Sequence, residues 1–492
     1  MSGRRYRFGP LERRTVLGPL RFGQVAILAV AGAFGLGCLY VLHSFFALLL
    51  ALGALGVAAA LIVIPVEGRT PAEWAPTVLR WGLRGKGGYR STAPAAGMRT
   101  DDESYERSLP PELGDLELLS VPYGAEQVGV IRDRRSGTYT AAIAVRAGAF
   151  ALRDSGEQER ALEAWGGVLA SCARDGSPIR RLQWIERTLP GQGDGLASYL
   201  QEKRDRSVPF ESNVVSSYIE LLEAAAPVTQ EHEVLIALQI ETRRVSRDLR
   251  RFGGGERGAS ELLLREAENL AQRLGAAEIT VFGLLRPRQY AEVIRDAFDP
   301  YGHQGRARAT LGDPEREGVD PALMGPHAEE TGWSHYRTDS AFHNSYWISS
   351  WPRSEVGPTF LAPLLMQSAA VRTVAVTIEP VPFSVAMRKA ETAQTAEVAE
   401  EMARARQGFL TTARIRRQQQ ATSRREDELA DGFAEMRFAA YVTVSEASGE
   451  ALEKSSSDVE HAGQLARLEF QRMYGEQDVG FANTLPLCRG LR

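Results

Sequence analysis

Between Gln24 and Val66 the chain runs 43 residues without an Asp, Glu, Lys or Arg. A helix needs about 20 apolar residues to cross a bilayer, so the run is long enough for two. The uncharged pair His43-Ser44 near its middle suits a tight turn. The pattern predicts spans over Gln24 to Val41 and Phe45 to Ile64, closed by Pro65. A cleavable signal would carry a far shorter apolar stretch, and a soluble helix would show a polar face. Arg4, Arg5, Arg7, Arg13, Arg14 and Arg21 precede the run, and Arg69, Arg80, Arg84, Lys86 and Arg90 follow it. Basic residues near span ends stay on the cytoplasmic side. The pattern therefore predicts a multi-pass protein of the cell membrane, with both termini and everything after Gly68 in the cytoplasm.

Beyond the run, helical and strand periods alternate irregularly. Trp74 to Trp81 reads as a short amphipathic helix, and Gly85 to Pro111 as an exposed linker. Gln127 to Arg132 and Thr138 to Arg146 read as a hairpin around Arg134-Arg135-Ser136-Gly137. Helices are expected at Glu157 to Cys172, Val214 to Ala225, Ser260 to Leu274 and Pro287 to Phe298, and strands at Arg181 to Leu189, Glu233 to Thr242 and Glu278 to Leu285. Tyr301 to His335 has little periodicity. Ala370 to Ile378 and Phe438 to Val444 are strands, Ser384 to Glu435 a helical hairpin, and Ser448 to Arg472 a last helix. The fold class expected is α+β: a transmembrane hairpin followed by antiparallel sheets with helices on one face, the last domain resembling a ferredoxin-like sandwich.

These elements divide the chain into a basic N-terminus (1–23), the hairpin (24–66), a juxtamembrane segment and linker (67–115), a first soluble domain (116–300), an irregular connection (301–345) and a second soluble domain (346–492). A net charge of −4 argues against wholesale nucleic-acid binding. Of 58 basic residues only Lys86, Lys203, Lys389 and Lys454 are lysine. Cys38, Cys172 and Cys488 lie far apart and suggest no disulfide framework.

None of the four lysines sits in a Gly-x-x-x-x-Gly-Lys-Ser/Thr loop, so the phosphate-cradling motif of many nucleotide hydrolases is absent from the chain. His335, Asp339 and His343 are close in sequence but lack metal-ligand spacing. No cofactor, metal or catalytic residue is expected. Two clusters carry binding potential. Arg414, Arg416, Arg417, Arg424 and Arg425 fall in an acid-free stretch from Met402 to Arg425, at the tip of the helical hairpin. Such a tip suits anionic lipid, DNA or an acidic partner, while its charges can also pair with acids along the two legs. Trp74, Arg80, Trp81 and Arg84 suit the lipid headgroup layer as an interface anchor, and packing against the soluble part accounts for them equally.

The hairpin followed by Gly68-Arg69-Thr70-Pro71-Ala72-Glu73-Trp74 resembles PrgI-type membrane proteins of Gram-positive, actinobacterial-type conjugation systems. Trp333 to Arg337, Ser349 to Arg353, Glu428 to Gly432 and Gly480 to Leu487 resemble the pre-ATPase region of TraC-type conjugation and type IV secretion ATPases. The resemblance implies a non-enzymatic membrane scaffold that docks a separately encoded motor ATPase, with the C-terminal face as docking surface. It also implies self-association or contact with other secretion subunits. A membrane subunit of a type VII secretion system and a membrane-bound enzyme with an unrecognised site are the alternatives.

Overall fold

The computed structural model describes residues 22–42, 44–63, 69–84, 89–91, 109–146, 148, 150–190, 212–213, 215–217, 219–220, 230–302, 318–366, 370–406 and 427–491. Helices α1 (Phe22–Leu42) and α2 (Phe45–Val63) form an antiparallel pair, each long and apolar enough to cross a membrane. The pair closes through small residues. Ala47, Ala51 and Ala58 are buried, and a Cβ on Gly35 would lie 3.2 Å from that of Ala51. Helix α3 (Pro71–Arg84) follows and touches both.

All strands among the described residues belong to one sheet: β1 (Tyr89–Ser91), β2 (Leu116–Tyr123), β3 (Glu126–Asp133), β4 (Thr138–Arg146), β5 (Ile179–Pro190), β6 (Gln230–Glu241), β7 (Thr280–Leu284), β8 (Ala328–Thr331), β9 (Tyr336–Thr338), β10 (Ala341–Ser350), β11 (Val371–Pro380), β12 (Met436–Glu446) and β13 (Glu469–Arg472). Their order is β1-β8-β9-β10-β12-β11-β5-β6-β4-β3-β2, with β13 beside β10 and β7 beside β4. Neighbouring strands pair antiparallel throughout the described residues. Strands of both expected soluble domains thus hydrogen-bond in a single sheet.

The order contains one pattern twice. In the first half, β4, α4 (Ser155–Cys172), β5, β6, α6 (Gly255–Ala276) and β7 give strand–helix–strand–strand–helix–strand, arranged β7-β4-β6-β5. In the second, β10, the short α8 (Ala362–Met366), β11, β12, α10 (Gly449–Leu465) and β13 repeat it as β13-β10-β12-β11. Each half is preceded by a hairpin (β2–β3, β8–β9) and followed by a helix, α7 (Pro287–Phe298) or α11 (Gln477–Thr484). The halves join through β5 and β11, where Ile185 lies opposite Ala375. Helix α5 (Ser246–Arg251) and helix α9 (Phe383–Arg406) lie outside the repeated pattern.

Side-chain alternation sends the two faces of this seam to different cores. Leu182, Trp184 and Val374 face α4, α6 and α10, while Ile185 and Ala375 face Tyr290, Phe298 and Phe481 from α7 and α11. Helices therefore cover both faces, not one as expected. That explains why β6 reads as a continuous apolar run, Val234 to Leu238, with no polar face. Local chemistry fixes the ends of elements. Asp154 Oδ1 accepts from Glu157 N at 2.8 Å to start α4, and Asp133 Oδ1 accepts from Arg135 N and Ser136 N in the β3–β4 turn.

Other expectations are corrected. Residues 328–345, expected irregular, carry β8, β9 and part of β10, short strands whose polar residues are buried by neighbours. The last expected helix stops at Leu465, and Glu469–Arg472 is strand β13. Arg467, with φ +57, turns the chain between them. β2 extends the first hairpin on its outer edge.

Candidate functional site

A cluster of aromatic and charged side chains gathers where α3 meets the sheet. Pro71 opens α3, Trp74 N donates to Thr70 O at 3.0 Å, and Thr70 N donates to Glu73 Oε2 at 3.0 Å. Trp74, Thr77 and Trp81 recur at helical spacing and so share one face. That face meets Trp333, in the β8–β9 turn, and Tyr474 and Gly475, just after β13. The Trp333 ring centroid lies 5.9 Å from that of Trp74 and 5.6 Å from that of Trp81, the latter edge-on at 76°. Tyr474 is 6.2 Å from Trp74. Such contacts add about 0.5–1.5 kcal/mol each beyond burial.

Gly475 is required at this junction. Its φ is +70, its N–H donates to Trp333 O at 2.7 Å, and a Cβ would stand 2.5 Å from Trp333 Cζ3 and 3.1 Å from Thr77 Cγ2. Beside it the carboxylate of Glu476, buried, accepts from Arg69 at 3.5 Å and Arg80 at 3.4 Å. Arg69 also stacks over Trp74 at 5.3 Å. Underneath, Arg472 stacks on Tyr474 at 5.4 Å, reaches Ser334 O at 3.3 Å and grips Glu453 with two nitrogens. The Arg472 hydrogen bonds hold the Glu453 carboxyl below its usual range.

Trp74 and Trp81 of the expected interface anchor therefore turn toward the sheet, and Arg80 bridges to Glu476. Arg84 ends α3, with its side chain outside the described residues. Arg414, Arg416, Arg417, Arg424 and Arg425 also lie outside them. Trp333 entered the sequence analysis only within the Trp333 to Arg337 motif, and nothing local ties it to Trp74, 259 positions earlier. Gly475 and Glu476 carried no sequence signal.

His335, Asp339 and His343 do not assemble a metal site. His343 is fully buried, Nε2 2.7 Å from Thr338 Oγ1 and Nδ1 2.7 Å from Ser445 Oγ. Thr338 gives its single proton to Phe298 O, so its oxygen accepts from an Nε2–H, and Nδ1 accepts from Ser445. Burial lowers the His343 pKa to about 3 and keeps the ring neutral. Asp339 instead accepts from His327 N and Ala328 N and pairs with Arg295. Among the described residues no group of three or more His, Cys, Asp or Glu could hold a metal ion.

The C-terminal face expected to dock a motor is occupied by the chain itself. Gln183 Oε1 accepts from Leu487 N at 3.0 Å and Cys488 N at 2.7 Å, and its Nε2 donates to Asn483 O at 2.9 Å. Tyr290 Oη, Gln239 Nε2 and Tyr441 Oη donate to the carbonyls of Pro486, Leu487 and Gly490. Leu485, Leu487 and Cys488 are buried, and burial pushes the Cys488 thiol pKa well up.

These features define a class first: an apolar helix pair clamped to a wide antiparallel sheet. Comparison with known families then gives a match to part of the chain. Residues 228–348, about a quarter of the chain, match the family described as "Putative type VII ESX secretion system translocon, EccE". No curated protein matches the chain. The family match overturns the conjugation and type IV reading. Trp333 to Arg337, one of the motifs carrying that likeness, falls inside the matched region. Of the other motifs, Ser349 and Ser350 end β10, and Gly480 to Leu487 run from within α11 into the buried tail.

Proposed function

We propose that this protein is a membrane subunit of a type VII secretion apparatus, without enzymatic activity of its own. The match of residues 228–348 to the EccE family carries the reading. That region runs from just before β6 to within β10, so it includes the link between the two halves of the sheet. Two helices of spanning length support a two-span anchor. The arginines around them support an orientation with both termini and the sheet in the cytoplasm. The repeated strand order supports two ferredoxin-like units, the second interrupted between β11 and β12 by α9 and the residues beyond it. The partners are the bilayer and other secretion subunits, among them the motor ATPase of the apparatus, since the chain has no phosphate-cradling loop of its own.

Affinity purification of the full chain from detergent-extracted native membranes tests this. Recovery of the other membrane subunits of a type VII apparatus in stoichiometric amounts is expected. Repeated recovery of the chain alone, or its release from membranes by salt and carbonate washing, would overturn the reading.

A further inference from the structure

Helix α3 has a second apolar face that the clamp does not use. Ala75, Leu79 and Leu83 recur every four residues and so line one side of the helix, roughly opposite the Trp74–Thr77–Trp81 face by the 100° step of a helix. Leu79 is 65% and Leu83 79% exposed, whereas Thr77 on the clamped side is 6% exposed. Adjacent Val78 is 51% exposed as well. A surface helix of a soluble body buries its apolar side and shows water its polar side. Here one apolar side is buried on the sheet and a second is left bare.

Position says what covers it. Helix α3 begins eight residues after α2 ends and packs against both α1 and α2. Because α1 starts and α2 finishes at the same end of the pair, α3 lies across the open end of the hairpin. A helix there, with protein on one flank, has the headgroup and upper acyl layer on the other. We propose that the Ala75–Leu79–Leu83 face is seated in the lipid surface, making α3 a wedge between bilayer and sheet. This rests on the reading of α1 and α2 as membrane spans. It reverses the roles suggested by composition: the tryptophans grip the protein, and the leucines grip the lipid. Burial to about 5–10 Å below the headgroups is what such a face reaches.

The test uses the full chain in nanodiscs of phosphatidylcholine and phosphatidylglycerol, with Cys38→Ser, leaving the buried Cys172 and Cys488 unlabelled. A small environment-sensitive fluorophore is placed at Leu79→Cys, Leu83→Cys, Leu52→Cys on the outside of α2, and Ala125→Cys in the exposed β2–β3 turn. All four positions are exposed, so the replacements leave the packing intact. Expected at 79 and 83 is quenching by a nitroxide on the lipid headgroup and iodide quenching at least fivefold weaker than at 125. Leu52→Cys should respond to a nitroxide placed deep in the acyl chain. If 79 and 83 are as open to iodide as 125 while 52 reads as lipid-buried, this inference fails and the spanning hairpin stands. If 79 and 83 are shielded from iodide but untouched by any lipid nitroxide, protein covers the face, a second copy included, and the inference fails. If 52 itself reads as aqueous, the spanning reading fails and takes this one with it.

Discussion

Gly475 concentrates two constraints in one position, a left-handed backbone and the absence of room for a side chain. Gly475→Ala is expected to destabilise the α3 junction by about 1–3 kcal/mol, the usual scale for strain at such a site. Tryptophan emission would shift as Trp74 and Trp81 separate from Trp333, and an unchanged spectrum and melting temperature would refute the assignment. His343 gives a pH prediction. Its folded pKa, about 3, lies below the unfolded 6.5, so between those values the unfolded chain binds a proton that the folded one does not. Stability is therefore complete above about pH 6.5 and falls by about 1.4 kcal/mol per unit as the pH drops toward 3. Denaturant midpoints between pH 6.5 and 5, before most carboxylates titrate, should show this slope in the parent and lose it in His343→Gln. Equal slopes would mean that the ring is not held neutral.

At the scale of elements, the tail from Leu485 to Leu491 is the clearest long-range contact, and Gln183 is its hinge pin. Gln183→Leu keeps the bulk but takes their partner from the buried Cys488 N–H and the Asn483 carbonyl, at about 1–3 kcal/mol each, while Leu487 N–H still donates to Leu485 O at 2.7 Å. Hydrogen exchange of Cys488 is expected to rise by at least tenfold while the amides of β5 stay protected. Continued protection of the tail would show that other contacts suffice. This contact also marks where sequence reading stops. The apolar pair, the β3–β4 hairpin, α4, α6, α7, β5, β6, β11 and β12 were legible because each carries its own period or turn chemistry. β8, β9 and β10 were missed because Thr338, His343, Asn344 and Ser345 are polar residues buried by partners far away in sequence. Likewise Trp333 was visible as a residue, but its meeting with Trp74 depends on tertiary packing.

For the molecule as a whole, the β5–β11 seam makes two repeated halves into one body. Trp184 packs into the cores beneath α4, α6 and α10 of both halves, and Ile185 and Ala375 share the core beneath α7 and α11 on the other face. The seam itself is a run of antiparallel pairs from Arg372–Thr188 to Ile378–Leu182. The sheet is therefore expected to melt as one cooperative unit in detergent, with circular dichroism and tryptophan fluorescence giving the same midpoint. Two separated transitions would mean that the halves are independent. The clamp engages the second half alone among the described residues, at the margin where β1 and β8 also pair. From β10 to β2 lie seven strand spacings, about 34 Å at 4.8 Å each. Held at one margin, such a body is a cantilever. By that same arithmetic, a tilt of about 10° at the tryptophan hinge carries the far strand about 6 Å, so a push on either end registers at the other as displacement.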